Sequence, residues 1–268
     1  MGGLTGKVAI VTGGRGIGAG IARVFANAGA KVVIATRTLR HGEDTVREIL
    51  GRGGEAKALE CDIGGRDQIF RMVAQAVDLY GTVDLLINNA AVFPRALIED
   101  LTPEDLDFAI AVNLKAPFWL VQACLPHLKR AQHGGRIVLI SSLGGTRLGT
   151  PSFTAYNATK AAVNGLSMTL ANELARYRIT SNVVEPGATE SAAFARNYAT
   201  QEVKDAIAAA IPLGRIVQPD DIGHACLFFC LPENAIVTGQ ALAVDGGTST
   251  GGALAPPQGA RYTGRPEG

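Results

Sequence analysis

Tyr156 and Lys160 stand four residues apart in residues 152–177, a stretch of helical composition with no internal proline and no run of glycine, so the two side chains share one helical face. A phenol beside an ammonium is a proton-transfer pair. Free tyrosine has a pKa of about 10, too high for a base near neutrality, and positive charge close by favours the phenolate. Such a pair also occurs on many surface helices, so its position along the chain matters. Just upstream, the apolar run 137–140 ends in Ser141-Ser142. A hydroxyl at the carboxyl end of a strand can hydrogen-bond an oxygen on which negative charge develops.

A second chemical signal opens the chain. Residues 8–11 form an apolar run that leads into Thr12-Gly13-Gly14-Arg15-Gly16-Ile17-Gly18, followed by the helical spacing of Ile21, Val24 and Phe25. Strand, glycine turn and helix is the order that a dinucleotide site requires. Glycines let the backbone approach a pyrophosphate, and the helix N-terminus offers free N–H groups at its positive dipole end. After the second strand the chain reads Ala35-Thr36-Arg37-Thr38, with no carboxylate to bind ribose hydroxyls. Arg37, together with Arg15 in the glycine loop, is instead suited to a 2′-phosphate.

The elements that must position these groups are legible as short β-branched runs at 8–11, 32–34, 84–87, 137–140 and 179–184, separated by amphipathic stretches. Continuously apolar strands alternating with helices predict a single doubly wound parallel sheet, Rossmann-like, with helices on both faces and ligands at the strands' carboxyl ends. The chain has 268 residues, 47% of them hydrophobic, enough for one large α/β domain. We expect that domain over residues 1–248, with 249–268 as a Gly/Pro-rich tail. The net charge of +1 gives no global field for nucleic acid or an anionic membrane, and charges, Gly or Pro interrupt every candidate membrane span. Cys61, Cys124, Cys226 and Cys230 show no metal-ligand spacing, so no metal is expected. A reducing, cytoplasmic setting fits these cysteines and the absence of a charged and apolar leader. Cys226 and Cys230 share a helical face and read as buried free thiols.

Taken with Asn88-Asn89-Ala90, Pro186-Gly187 and Val244-Asp245-Gly246-Gly247, these motifs resemble the short-chain dehydrogenase/reductase family, in its order and at nearly its spacings, over about residues 4–248. The resemblance implies hydride transfer between a nicotinamide cofactor and a carbonyl or secondary alcohol. It makes Tyr156 the acid/base. Lys160 would lower the phenol's pKa and hold the nicotinamide ribose, and Asn113 would help to hold a water that links Lys160 to solvent. Asp62 would contact adenine, Asn89 would line the cofactor, and Pro186, Gly187 and Thr189 would close on the nicotinamide amide. With Gly13, Gly16, Ile17 and Gly18 in the cradle, and Arg15 and Arg37 at the phosphate, NADP(H) is expected over NAD(H). Two departures from the family pattern stand out. The glycine loop is one residue short, so either the turn tightens around an intact cradle, with Gly14 free to take an unusual φ, or binding weakens. The second of the paired serines lies one residue further ahead of Tyr156 than usual. We place the extra residue in 144–151 and keep Ser142 as the catalytic hydroxyl, with Ser141 as the substitute.

Phe93, Pro94 and Leu143 are expected on one substrate wall, with Phe194 and Tyr198 on an Ala-rich helical lid over 191–210. Such a pocket carries no charged cluster and favours ketones or alcohols on hydrophobic skeletons over sugars. Phe118, Trp119, Leu120 and Val121 offer more apolar surface than one covered face needs. Together with the family's habit of pairing the helices that carry Asn113 and Tyr156, this leads us to expect a homotetramer or homodimer. The alternatives are a nucleotide-sensing or scaffold protein impaired by the two departures, and a lyase or epimerase that uses the nicotinamide transiently.

Overall fold

The computed structural model describes residues 3–191, 194 and 200–251. Its centre is a seven-stranded sheet in the order β3-β2-β1-β4-β5-β6-β7. The strands are β1 (Val8–Thr12), β2 (Lys31–Thr36), β3 (Glu55–Glu60), β4 (Leu85–Asn88), β5 (Arg136–Ile140), β6 (Thr180–Pro186) and β7 (Ala241–Val244). Every pairing is parallel. The five expected runs fall on β1, β2, β4, β5 and β6, within two residues of their ends. The edge strands β3 and β7 are partly exposed. With one flank open to water, neither needs a continuous apolar run. Because the chain moves outward from β1 to β3 and then returns to β4 beside β1, the crevice for a ligand opens at the carboxyl ends of β1 and β4.

Alternation along β1 separates two cores. Ile10 faces α3 (Arg66–Tyr80), α5 (Ala116–Leu128) and α7 (Thr154–Leu174), where Ile69, Met72, Leu120, Cys124, Val163 and Leu170 close the layer. Ala9 and Val11 face α1 (Ile17–Asn27) and α9 (Pro219–Cys230), where Phe25, Ile222 and Phe229 do the same. α2 (Leu39–Gly51), α4 (Pro103–Ala109), α6 (Leu143–Thr146) and α8 (Gln201–Ala210) complete the helices among the described residues. The expected stretch 152–177 is α7 followed by a 3₁₀ turn, Ala175–Tyr177. Within the expected lid, α8 is seen, whereas Tyr198 lies outside the described residues. Cys226 and Cys230 are both buried. The tail beyond Gly251 also lies outside the described residues.

Two expectations from the sequence need correction. α4, a π-helical turn (Ile110–Lys115) and α5 form one helical run, Pro103–Leu128, that is long and apolar enough to cross a bilayer, with a mean hydropathy of 1.5. The interruptions expected from charge and proline, here Lys115 and Pro117, are absorbed by the π turn and by proline's tolerance near a helix start. Half of the apolar window is buried within the domain, which accounts for its composition. Of the four expected surface residues on α5, only Phe118 is exposed, at 45%. Leu120 and Val121 are buried, and Trp119 packs on the core.

Gly20 sets the distance between α1 and α9, because a Cβ there would lie 2.4 Å from the Pro219 carbonyl carbon. Arg23 reaches Asp220 across the same crossing at 2.6 Å. Gly20→Ala gains about 1 kcal/mol of helix propensity but drives a methyl into backbone, a cost of about 1–3 kcal/mol. Overpacking outweighs propensity here, since α9 must move as a whole. We expect a net loss and a Tm lower by about 2–4 °C per kcal/mol in calorimetry.

Candidate active site

Helix α7 brings Tyr156 and Lys160 to the carboxyl end of β5. Lys160 Nζ donates to the Ile140 carbonyl at 2.7 Å, and Ser141 Oγ donates to the Lys160 carbonyl at 2.8 Å. The Ser141 hydroxyl is thereby engaged in holding the helix. Ser142 turns the other way, accepts from Gly144 N at 3.2 Å, and its hydroxyl acts on the Tyr156 phenol, favouring the phenolate. Of the paired serines, Ser142 is therefore the one that meets the tyrosine. The loop after α6, residues 147–151, is exposed. Burial pushes the Tyr156 phenol up to about 12, with the Ser142 hydrogen bond acting in the opposite direction. Burial also lowers the Lys160 ammonium to about 8. Lys160 Nζ lies 5.7 Å from the tyrosine ring centroid, and among the protein's own groups desolvation prevails.

Asn113 is buried in the π turn and does not line the cleft. Its side chain accepts from Val92 N at 2.8 Å, donates to Val92 O at 2.9 Å and reaches Thr159 Oγ1 at 3.3 Å. Thr159 Oγ1 donates to Tyr156 O at 2.7 Å. Asn113 therefore joins the segment after β4 to α7.

At the other end of the site, Thr12 Oγ1 accepts from the backbone N–H of Asn89 and of Ala90, each at 2.9 Å, and donates to Asn88 Oδ1 at 3.1 Å. Asn89 Nδ2 returns a bond to Thr12 O at 2.8 Å. The glycine loop leaves this hub with Gly13 at φ 101° and Gly16 at φ 57°, both open to glycine at no steric cost. Gly18 approaches so closely that a Cβ would lie 2.2 Å from Gly13 O. No side chain caps the first turn of α1. Gly14 does not take a positive φ as expected. It serves close approach instead, since a Cβ there would meet Gly42 N of α2 at 2.7 Å. One cleft of about 770 Å³ runs from Arg15, Arg37 and Asp62, past Gly13, Gly16, Ile17 and Asn89, to Ser142, Tyr156, Lys160, Pro186, Gly187 and Thr189. The Asp62 carboxylate accepts from Gly64 N at 2.9 Å, and Thr189 Oγ1 donates to Gly187 O at 2.9 Å.

Phe93 and Phe194 line the same cleft. The Phe93 and Tyr156 rings lie 4.8 Å apart, and Phe153 stands edge-on to Tyr156 at 5.8 Å. Leu143, expected on this wall, is buried instead, because the α6 turn folds it inward beside Gly187. Pro94 is likewise not among the lining residues, whereas its neighbour Arg95 is, with its guanidinium 4.5 Å from the Phe153 ring centroid. The expected uncharged pocket thus has one cation at its edge.

A family profile described as enoyl-(acyl carrier protein) reductase matches residues 11–249. The chain is 34% identical over 260 residues to the hydroxynaphthalene reductase-like protein Arp2 of Metarhizium robertsii, covering 92% of this chain and 96% of that protein. It is 36% identical over 245 residues to the 3-oxoacyl-[acyl-carrier-protein] reductase FabG of Thermotoga maritima, covering 91% and 98%. An actinorhodin polyketide ketoreductase variant solved with NADPH superposes with a TM-score of 0.85 at 34% identity, covering 91% and 97%. The chain belongs to the short-chain dehydrogenase/reductase family. It is an oxidoreductase of that family, whose members use a nicotinamide dinucleotide. The residues present fit such a group. The positive-φ glycines, the close approach at Gly18 and the uncapped start of α1 leave backbone N–H groups facing the cleft that joins the two arginines to Tyr156.

Sequence reading for a dehydrogenase/reductase missed Glu185; a carboxylate directly after Val183-Val184 in a fully buried strand was the available signal. Glu185 is buried and accepts from Arg147 Nε at 2.6 Å, Thr146 Oγ1 at 2.7 Å and Asn164 Nδ2 at 2.7 Å, tying the loop after Ser142 to β6 and α7. Burial by itself raises its pKa. The bonds from Arg147, Thr146 and Asn164 outweigh that and hold the carboxyl below its ordinary value. A carboxyl depressed in the fold stabilises fully above the unfolded pKa of about 4.3, and that stability is lost as pH falls through the folded value. Glu185→Gln is expected to cost about 1–3 kcal/mol at pH 7. In denaturant titrations, the gap between wild type and variant should narrow as pH is lowered below about 4.

Proposed function

We propose that this enzyme is an NADP(H)-dependent ketoreductase in which Tyr156 delivers a proton to the oxygen of a largely apolar ketone. The observation that carries the reading is that Ser142, Tyr156 and buried Lys160 line one cleft, with Tyr156 and Lys160 on the same helix face. The nicotinamide, when bound, supplies the hydride or takes it back. Tyr156 holds the proton and gives it to the carbonyl oxygen as charge grows there, while the Ser142 hydroxyl hydrogen-bonds the same oxygen. A phenol held near 12 is protonated at neutral pH, which suits the donor role and thus reduction. Lys160, anchored on Ile140 O, would hold the nicotinamide ribose, and Thr189, Pro186 and Gly187 the amide. Asn113 positions α7 through Thr159.

Arg15 and Arg37 at the adenosine end, where no carboxylate stands among residues 35–38, support NADP(H) over NAD(H). The wall of Phe93, Phe153 and Phe194 suits a flat conjugated ketone, in keeping with the hydroxynaphthalene and polyketide names of two relatives. Exposed Phe108, Phe118 and Met168 on α4, α5 and α7 support assembly into a homodimer or homotetramer through these helices. The four buried free cysteines accord with a reducing, cytoplasmic setting.

Tyr156→Phe is expected to lower NADPH-dependent ketone reduction by about 10²–10⁴-fold while leaving NADPH affinity nearly unchanged, since only the proton-transfer group is removed. Rates followed at the nicotinamide absorbance, with binding read by thermal shift, check both halves. Equal activity in the variant would remove Tyr156 from its role. Arg37→Ala should weaken NADPH about 10- to 100-fold more than NADH, the equivalent of one charge-assisted phosphate contact. Wild-type protein that prefers NADH would refute the cofactor assignment.

A further inference from the structure

At the adenosine end of the cleft, His41 is a titratable group to which the reading above gives no task. It lines the cleft with Arg15, Arg37 and Thr38, and its Nε2 lies 3.4 Å from Arg15 Nη1. Gly14 presses on the first turns of α2, where a Cβ on Gly14 would stand 2.7 Å from Gly42 N and 2.9 Å from the His41 carbonyl carbon. Thr45 Oγ1 clamps the contact by donating to Gly14 O at 2.9 Å. α2 cannot retreat, because a Cβ on Gly42 would in turn meet Ala58 Cβ of β3 at 2.9 Å and Thr36 Cγ2 at 3.0 Å. The backbone that carries His41 is therefore wedged between the loop and the sheet, one side-chain length from Arg15.

We propose that His41 is a third selector of the 2′-phosphate, strengthening the choice of NADP(H) over NAD(H) when its imidazole is protonated. The inference rests on the NADP(H) reading given above. Neutral His41 accepts from Arg15 and orients that guanidinium across the mouth of the site. Imidazolium and guanidinium at 3.4 Å repel one another unless an anion is close to both, and a phosphate dianion is such an anion. The charges around His41 agree with this. Arg15 approaches from the glycine loop and Arg37 from the β2–α2 turn, Arg40 precedes it on α2, Ala58 of β3 packs against Gly42, and Asp62, beyond β3, is the carboxylate that lines the same cleft. The acidic neighbours on α2 are Glu43 and Asp44, and Asp44 is engaged by Arg47. Imidazole is the side chain whose charge ordinarily changes between pH 5 and 8. A phosphate monoester loses its second proton near pH 6, so its own titration weakens binding as pH falls, opposite in sign to the effect of His41.

The test measures dissociation constants of NADPH and NADH for wild type, His41→Gln and His41→Arg by calorimetry between pH 6 and 8, with unliganded thermal unfolding recorded for each variant. The wild-type preference for NADPH, divided by that of His41→Gln, should rise about three- to tenfold from pH 8 to pH 6, a size appropriate to a partly exposed charge pair. Titration in two buffers of different ionisation enthalpy should register proton uptake when wild type binds NADPH, reduced in His41→Gln. His41→Arg, with a permanent charge, should keep high selectivity and lose the same part of the pH dependence. Parallel pH profiles for wild type and both variants, with NADPH still preferred, would overturn the role of His41 and leave the cofactor assignment standing. No preference for NADPH at any pH would overturn both.

Discussion

Two bonds of opposite direction tie helix α7 to the end of β5. Lys160 sends its ammonium to the Ile140 carbonyl, and Ser141 sends its hydroxyl to the Lys160 carbonyl. Both are buried, so leaving either partner unpaired would cost its full desolvation, and helix and strand are held in one relative position. Everything chemical in the site follows from that position. Once Ser141 is committed to the helix backbone, the next residue along an extended chain faces the other way, and Ser142 is delivered to the phenol of Tyr156. The Asn113–Thr159 contact braces the same helix from its other side, and Glu185 fastens the loop that follows Ser142.

The glycine-rich end is organised by approach distance more than by sequence length. The loop holds Gly13 and Gly16 at positive φ, with the Gly13 N–H donated to Ala35 O, and Gly14 lies close against α2. That contact is possible only because Gly42 lies opposite with no Cβ of its own. Loop and helix are thereby coupled, and the side chains that flank the adenosine end, Arg15 and His41, become neighbours.

The apolar helical run from α4 to α5 serves two roles that its hydropathy alone cannot separate. Its inner residues, Leu120 and Cys124 among them, fill the core beneath β4 and β5, while the π turn rotates Asn113 toward Val92 and Thr159. One residue added to a helical turn shifts the following side chains by roughly 100° around the axis, enough to redirect a face from core to site. Half of the apolar window remains outside the core, and Phe108 and Phe118 are the most exposed large apolar side chains along the run.

Read alone, the sequence determined the strand–glycine–helix order, the shared face of Tyr156 and Lys160, the parallel sheet between helices and the lack of a carboxylate after β2. Each of these is local, set by periodicity, by the φ that only glycine tolerates, or by the identity of one residue. Tertiary structure alone decided which serine meets the tyrosine, why Gly14 is a glycine, what Asn113 holds, which way Leu143 turns and why a carboxylate sits inside β6. In every such case the partner is distant along the chain: Ser141 with Lys160, Gly14 with Gly42 and Thr45, Asn113 with Thr159, Glu185 with Arg147 and Asn164. A sequence pattern states which face a residue occupies. Which group waits opposite that face depends on how the packed layers meet, and buried polar atoms must find that group because water is excluded from the layer between them.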